Sequence, residues 1–196
     1  APAESRTSLR LAEVRLMMAL DPQQRWALAS TLANEAATAP MADGLRICRW
    51  LNQNGFPESA LHLHDSVAPP ADDRDWFIAR LDALFGMHDW AELNRILKME
   101  DQPLPPLMQA LFLYRADRSA GKPEEDLSHR KEEIVVAARS AQAREVLYTA
   151  GNLELAGETE LAISLFRFLQ RNDQFGLSAR LGLVRDARIL QHQRHE

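Results

Sequence analysis

Six histidines and one cysteine are the residues of this chain best suited to metal or nucleophile chemistry, but their spacing supports neither kind of site. His62 and His64 are two positions apart, so on a helix they point in nearly opposite directions and cannot share an ion. His192 and His195 have a spacing that would suit a metal, but they lie in a terminal stretch of a kind that usually frays. We therefore predict no metal site and no cofactor.

Cys48 lies within an apolar stripe of helical spacing, which favours a buried, small hydrophobic side chain over a reactive thiol. The glycine-rich phosphate loop, the serine-nucleophile elbow, the zinc-protease helix and paired cysteines are all absent from the sequence. Because catalysis requires a located set of reacting groups, we predict that the chain is not an enzyme. A single cysteine cannot form an internal disulfide, so it does not identify the cell compartment.

The composition is that of a folded globular protein. Of the 196 residues, 46% are hydrophobic and 26% are charged, and the formal net charge is −5. With no basic excess to neutralise phosphates, we predict no nucleic-acid binding. The longest apolar stretches are about ten residues, too short to span a bilayer, so we predict no direct membrane insertion. Because the sequence lacks an initiator methionine, we expect it to be an excerpt of a longer polypeptide.

Turn signals recur with a period of about 34 residues, which is typical of repeat proteins. They are Asp21-Pro22, Gly55-Phe56-Pro57, His88-Asp89-Trp90, Gly121-Lys122-Pro123 and Gly157-Glu158-Thr159. Between them the apolar residues have helical spacing, as in the stretch 143–155, and no alternating pattern of a strand competes. Second helices are predicted after each turn, over residues 23–37, 58–67, 90–99, 124–140 and 160–171.

Prolines and capping residues mark where one helical hairpin ends and the next begins. Pro40, Pro69-Pro70 and the prolines at 103, 105 and 106 fall at the expected junctions, because proline suits a linker or the first turn of a helix. The pair Asp72-Asp73 before Trp76, and Ser140 before the next apolar stripe, are candidate N-caps of the helices that follow them. A last apolar stripe from Leu177 to Leu190 predicts one more helix, which would cap the array.

The segment 147–166 carries the most specific motif. Gly157 precedes Ala162 by five residues, and Phe166 follows Ala162 by four. Gly55 and Ala60 repeat the five-residue offset. In this arrangement the chain resembles the tetratricopeptide repeat (TPR) family, in which small residues allow the two helices of a hairpin to approach closely. The chain departs from the pattern at Trp26 and His64, which stand where small or aromatic packing residues are expected. Asp126 also departs from it, unless the register of the fourth hairpin slips by one residue to Leu127.

The resemblance implies an all-α fold, a right-handed α-solenoid of about five antiparallel helix hairpins plus a C-terminal capping helix, in a single domain over residues 1–196. It also implies a concave face built by the first helix of each hairpin, suited to a peptide or a partner helix. The predicted function is thus a non-enzymatic protein–protein interaction scaffold. The polar first-helix residues predicted to line or flank the face are Arg49, Asn52, Gln53, Asp82, Arg115, Arg118, Asn152 and Glu154.

Some features have two interpretations. The chain is either a free-standing scaffold or a regulatory or spacer segment of a larger enzyme, envelope assembly or transcription regulator, whose hairpins pack against another domain.

The run from Leu104 to Tyr114 is apolar nearly all round, which predicts a helix buried on both sides, with an exposed groove floor as the alternative. The four tryptophans, which recur near the turns, are expected to pack between hairpins rather than to stack on a ligand.

Overall fold

The computed structural model describes residues 3–99, 101–170 and 176–193, and within those residues it is all-helical, without strands. The predicted all-α class is therefore confirmed. The eleven α-helices of the described residues are α1 Ala3–Leu20, α2 Arg25–Ala36, α3 Met41–Gln53, α4 Pro57–Val67, α5 Arg74–Gly86, α6 Trp90–Leu97, α7 Pro106–Ser119, α8 Glu124–Ala138, α9 Ala143–Leu155, α10 Thr159–Leu169 and α11 Gly176–Gln193. A short 3-10 helix, Pro22–Gln24, precedes α2.

The contacts within the chain divide it into two compact units, unit 1 from Ala1–Pro103 and unit 2 from Leu104–Glu196. In unit 1, each of the first four helices packs against the next one along the chain, and α6 packs against α5. Helices also pack two places apart: α1 against α3, α3 against α5, and α2 against α4. The odd-numbered helices thus form one layer, and α2 and α4 form the other.

Unit 2 repeats this arrangement of two layers. The pairs α7–α8 and α9–α10 pack as hairpins, and α11 packs against α10. The odd-numbered helices α7, α9 and α11 are neighbours in turn, and α8 contacts α10 across the other layer. Contacts between neighbouring hairpins are what a stack of helix pairs requires.

Four of the five predicted turns share one backbone geometry. Gly55, His88, Gly121 and Gly157 all adopt the left-handed conformation, with φ between 59° and 80°. In the last of them, the N–H of Gly157 donates to the carbonyl of Glu154 and the N–H of Glu158 donates to the carbonyl of Leu153. The same pair of bonds recurs at the other three turns, where it closes the preceding helix. The turn at 21–22 differs, because Asp21 caps the 3-10 helix by accepting from the N–H of Gln23.

Helix starts follow the predicted chemistry at most junctions. The Asp73 side chain accepts from the N–H groups of Asp75 and Trp76, which confirms it as the N-cap of α5. Pro105 and Pro106 stand at the N-cap and first position of α7. The prediction for Ser140 is wrong: the residue before α9 is Gln142, whose N–H donates to Glu145. Ser140 belongs to the end of α8, because its N–H and its hydroxyl both donate to the carbonyl of Ala137.

Each unit has its own apolar core. In unit 1, Leu51 of α3, Leu63 of α4 and Trp76 of α5 are almost completely buried. In unit 2 the core joins Leu111 of α7 to helices α8 to α11. Of the run from Leu104 to Tyr114, the helix takes up only the part that begins at Pro106. Seven of the eight residues from Leu107 to Tyr114 are buried, which confirms the prediction of a helix covered on both sides for that part.

Helix α1 has two apolar faces rather than one. Val14 is buried and Leu11 packs against the core of unit 1. Leu9, Leu16 and Leu20 lie on the opposite side of the helix and are exposed. The apolar spacing of these leucines fits a helix, but it does not distinguish a face that packs in the core from a face that is exposed.

Candidate interaction surface

The eight polar residues predicted to bind a partner all lie on odd-numbered helices, the first helices of the hairpins. Arg49, Asn52 and Gln53 are on α3, Asp82 is on α5, Arg115 and Arg118 are on α7, and Asn152 and Glu154 are on α9. Unit 1 holds the first four and unit 2 holds the other four, so each unit has a candidate surface of its own.

In unit 1, Arg49 and Gln53 stand on the exposed side of α3, one helical turn apart. The Nη2 atom of Arg49 is 3.0 Å from Oδ1 of Asp75 on α5, and both side chains are substantially exposed. Ion pairs of this kind contribute little to stability, because water solvates both partners well. Arg49 and Gln53 therefore remain accessible to another molecule.

Asn52 has a different position, between α3 and α5. Its Nδ2 atom donates to the carbonyl of Ala79 over 2.8 Å. Its Oδ1 atom is buried and has no hydrogen-bond partner among the residues described. The side chain therefore acts as a polar link between two neighbouring helices of the same layer, in addition to any role at the surface.

Asp82 of α5 lies close to Cys48, the residue predicted to be a buried packing group. Cys48 is fully buried, which confirms that prediction, and its thiol donates to the carbonyl of Ala60 at 3.5 Å. Burial raises the pKa of the Cys48 thiol to about 12, and the negative charge of Asp82 acts in the same direction. The thiol is thus neutral at physiological pH and is a poor nucleophile.

In unit 2, Arg118 belongs to an ion-pair cluster at the turn between α9 and α10. Its Nη1 atom is 2.8 Å from Oε1 of Glu158 and donates to the carbonyl of Ala156 over 2.6 Å. Lys131 of α8 approaches the other oxygen of Glu158 at 3.1 Å. Burial alone would raise the pKa of Glu158, but Tyr114, Lys131 and Arg118 together hold it below its ordinary value. This cluster ties α7 and α8 to the next hairpin.

Arg115 and Asn152 make local contacts on their own helices. The Arg115 guanidinium carbon lies 5.6 Å from the ring centre of Phe112, one turn earlier on α7. Nδ2 of Asn152 donates over 3.0 Å to the carbonyl of Tyr148 on α9. Both side chains are partly exposed, so they flank the outer surface of unit 2.

Glu154 joins α9 to α11. Arg185 of α11 donates to both carboxylate oxygens of Glu154 through Nε and Nη2. The neighbouring Asp186 is 0% exposed, and neither of its oxygens has a hydrogen-bond partner in the described part of the chain. Burial and the nearby Glu154 raise the pKa of Asp186 to about 6, although Arg185 opposes the rise. The contact between α9 and α11 thus contains two carboxyl groups and one guanidinium.

The structure also shows outward-facing residues that were not predicted. Arg144, Tyr148 and Leu155 are exposed on α9, and the side chain of Leu155 is 90% exposed. Their spacing of four and seven residues puts them on one helix face. That spacing could have identified them in the sequence, since it places them opposite the core residues Val146 and Leu153.

The tryptophans pack mainly inside unit 1. Trp76 is 1% exposed and lies with its ring centre 5.9 Å from that of His64 on α4. Trp50 is nearly buried and stacks against Phe56. Trp26 is half-exposed, with its ring edge-on to the same phenylalanine at 5.0 Å. Packing between helices therefore accounts for Trp50 and Trp76, while Trp26 contributes to the surface.

No group of three or more His, Cys, Asp and Glu side chains that could hold a metal ion occurs within the described ranges. His195 lies outside the described residues, so what was predicted for its pairing with His192 stays a prediction. None of the helices in the described ranges combines the length and the apolar character needed to cross a bilayer.

The described residues form an all-α protein, and each of its two units is built from helical hairpins in two layers, with polar and apolar side chains exposed on the odd-numbered helices. In comparisons with known proteins, no family model matches the chain, and no curated protein or solved structure matches it either.

Proposed function

We propose that the chain is a non-enzymatic protein-interaction module with a TPR-like, right-handed solenoid arrangement of about five hairpins and a capping helix. In this proposal, the face formed by the first helices binds an extended peptide or a partner helix. The surface on each unit serves as a separate contact area.

The observation that carries the proposal is the exposed stripe on α9, where a tyrosine and a leucine face water. The side chain of Leu155 is 90% exposed, although burying a leucine is worth about 2 kcal/mol. Tyr148, on the same face of α9 and nearer its N-terminus, is 41% exposed. Tyrosine is enriched at protein interfaces because one ring supplies both apolar area and a hydrogen bond.

The eight predicted residues divide into three groups within this proposal. Arg49, Gln53 and Arg118 are exposed and are proposed to contact the partner directly, while Asp82, Arg115 and Asn152 flank that contact. Asn52 and Glu154 hold neighbouring helices together and so set the spacing of the surface.

The test places a photo-crosslinking amino acid at Gln53, on the outer side of α3, in cells that express the chain. Ser30, which is exposed on α2 in the other layer of unit 1, is the matched control position. We expect a discrete protein adduct from position 53 and none from position 30. Equal adducts from both positions, or adducts from position 30 alone, would contradict binding by the first-helix face.

The second candidate is a regulatory or spacer segment that packs against another domain of a longer chain. The apolar outer face of α1 favours it, because Leu9, Leu16 and Leu20 together form a surface that a packed domain would cover. A crosslinker at Leu16 in the full-length protein distinguishes the two functions. Adducts to another part of the same chain support the function of a regulatory or spacer segment. Adducts to a separate protein show that the outer face of α1 does not pack against another domain, and so exclude that function for this face.

A further inference from the structure

Asp186 is an acidic residue on the side of α11 that packs in the core of unit 2. Its side chain is 0% exposed, and Ala179, two turns earlier on the same side of the helix, belongs to the apolar core. A carboxylate is seldom buried unless a cation or several hydrogen bonds stabilise its charge. On its own helix, the positions one turn before and one turn after Asp186 carry no charged residue: Gly182, Leu183, Ile189 and Leu190.

The polar neighbour of Asp186 is another acid. Neither oxygen of Asp186 accepts a hydrogen bond from a donor in the described part of the chain. The side chain of Glu154 on α9 lies within hydrogen-bonding reach of it. Because an ionised carboxylate has no proton to donate, a hydrogen bond between two carboxyl groups requires that one of them keeps its proton. Asp186 and Glu154 therefore share one proton in this arrangement.

Arg185 decides which of the two carboxyl groups holds that proton. Its guanidinium donates to both oxygens of Glu154 through Nε and Nη2, so Glu154 is stabilised as a carboxylate. Burial and the nearby Glu154 raise the pKa of Asp186 to about 6, and Arg185 opposes the rise without cancelling it. The proton consequently resides on Asp186, whose O–H donates to Glu154.

The other charged groups of the helices around Asp186 do not replace this proton. Helix α11 packs against α9 and α10, and the described charged groups that act on Asp186 are Glu154 and Arg185. The remaining charged side chains described on the three helices are Arg144 and Glu145 at the start of α9, Glu160 and Arg167 on α10, and Arg180 on α11. Those on α10 and α11 are exposed, and those on α9 are about 13 Å along the helix from Glu154.

Helix α11 buries mostly small residues against its neighbours. Besides Asp186, its buried described residues are Gly176, Ala179 and Gly182, and Leu181 is 62% exposed. The ring of Phe166 on α10 lies directly against Gly182, where an added Cβ atom would be 2.7 Å from it. This contact is close but small in apolar area, so it offers little free energy to offset the burial of an ionised carboxylate.

We propose that the contact of α11 with α9 and α10 is a pH-sensitive switch. While Asp186 is protonated, its O–H donates to the carboxylate of Glu154 and α11 stays docked. When Asp186 releases its proton to water, two carboxylates face each other, and the equilibrium shifts toward a state in which α11 has separated and Phe166 is exposed. The switch operates within unit 2, so it goes beyond the proposed function and does not depend on a partner.

The direction and size of the effect follow from the two protonation states. In the docked state the pKa of Asp186 is about 6, and in the separated state it returns to the ordinary value of 3.8. Between these values the docked state holds a proton that the separated state has lost, so docking weakens as the pH rises. The total change is about a hundredfold in the docking equilibrium, and it is complete above about pH 7.

The test measures amide hydrogen exchange by mass spectrometry on the intact chain between pH 4 and pH 8, with each rate corrected for the pH dependence of intrinsic exchange. Protection of α11 is compared with that of α7, which lies at the other end of the chain order of unit 2. Asp186→Asn preserves size and supplies an N–H that can donate to Glu154 at every pH. Asp126→Asn, at an exposed position of α8, is the matched control.

We expect the protection of α11 in the wild type to fall about a hundredfold between pH 4 and pH 7, while that of α7 stays constant. Asp186→Asn should keep α11 protected throughout, and Asp126→Asn should behave as the wild type does. Glu154→Gln should move the midpoint of the fall to lower pH, because Glu154 raises the pKa of Asp186.

Three results would overturn the switch. The first is protection of α11 that does not change with pH, or that falls equally in Asp186→Asn. The second is a parallel loss of protection in α7, which would mean that unit 2 opens as a whole. The third is an unchanged midpoint in Glu154→Gln, which would show that the two carboxyl groups do not share a proton.

Discussion

Positions 55, 88, 121 and 157 share a left-handed backbone, yet three carry glycine and one carries histidine. An L-residue with a Cβ atom is disfavoured there because the Cβ crowds the following carbonyl. A Cβ atom at Gly157 would meet no atom within 4 Å, so a substitution there would act through the backbone alone. The same two backbone hydrogen bonds close all four turns. The four sites therefore differ mainly in how readily the residue at the turn, glycine or histidine, adopts the left-handed conformation.

From this we expect opposite effects of two substitutions. Gly157→Ala should lower the stability of unit 2 by about 1 kcal/mol, and His88→Gly should raise that of unit 1 by about 0.5 to 1 kcal/mol. Urea unfolding measures both, with tryptophan fluorescence for unit 1, which holds all four tryptophans, and circular dichroism for unit 2. Gly151→Ala, at an ordinary helical φ, is the control and should stabilise. A neutral Gly157→Ala would mean that the turn relaxes to another conformation.

Asp186 is a buried titratable residue that makes the stability of unit 2 depend on pH. Its carboxyl group has a pKa of about 6, above the ordinary value for aspartate, because it is buried beside Glu154. Between about pH 4 and pH 6 the folded state keeps this proton while the unfolded state has lost it. Stability therefore falls as the pH rises through this range, and above pH 6 the folded state contains an ionised, buried carboxylate.

We predict that Asp186→Asn stabilises unit 2 by about 1 to 3 kcal/mol at pH 7 to 8 and has almost no effect near pH 4. Urea unfolding at a series of pH values, followed by circular dichroism, measures the difference. Asp126→Asn, at an exposed position of α8, is the control and should leave the pH profile as it is. An Asp186→Asn profile parallel to that of the wild type would show that the carboxyl group is solvated in the folded protein.

Neighbouring elements of the same layer are held partly by polar side chains, and Asn52 between α3 and α5 is the clearest case. The substitution Asn52→Ala should lower the stability of unit 1 by about 1 to 2 kcal/mol, because it removes the hydrogen bond from Nδ2 to the Ala79 carbonyl. Gln53→Ala, one residue away and exposed, should change stability by less than about 0.5 kcal/mol. Tryptophan fluorescence during urea unfolding compares the two. If Asn52→Ala is as stable as the wild type, Asn52 is a surface residue rather than a link.

The helices were predictable from the sequence because apolar periodicity, glycine turns and prolines all act locally. The stretch 143–155 is a helix with the predicted bounds, and the second helices differ from prediction by a few residues at their ends. Glu154 illustrates what could not be predicted. Its bond to Arg185 joins residues far apart in sequence, and nothing in the local pattern distinguishes a glutamate that links helices from one that faces a partner.

The same limit applies to the candidate surface. The candidates were chosen because they are polar residues on the first helix of a hairpin. This criterion selected Arg49 and Gln53, which are exposed, but it also selected Asn52, which is half-buried in a contact between helices. The exposed apolar residues Tyr148 and Leu155 were missed because apolar residues are expected inside, so their exposure becomes visible only when the neighbouring helices are in place.

Within each unit the packing follows the order of the chain, and this has a consequence for how a local defect spreads. Leu165 of α10 is fully buried, and its helix packs against α8, α9 and α11. Leu165→Ala should destabilise those contacts by about 2 to 5 kcal/mol. In a stack whose stability is a sum over neighbours, amide exchange should accelerate most in α9, α10 and α11 and least in α7.

Hydrogen exchange with mass spectrometry on the intact chain measures the gradient, with the exposed Phe168→Ala as the control. A uniform acceleration of exchange across α7 to α11 would instead show that unit 2 unfolds as one cooperative bundle. That result would contradict the proposed solenoid arrangement, in which stability is a sum of contacts between neighbours.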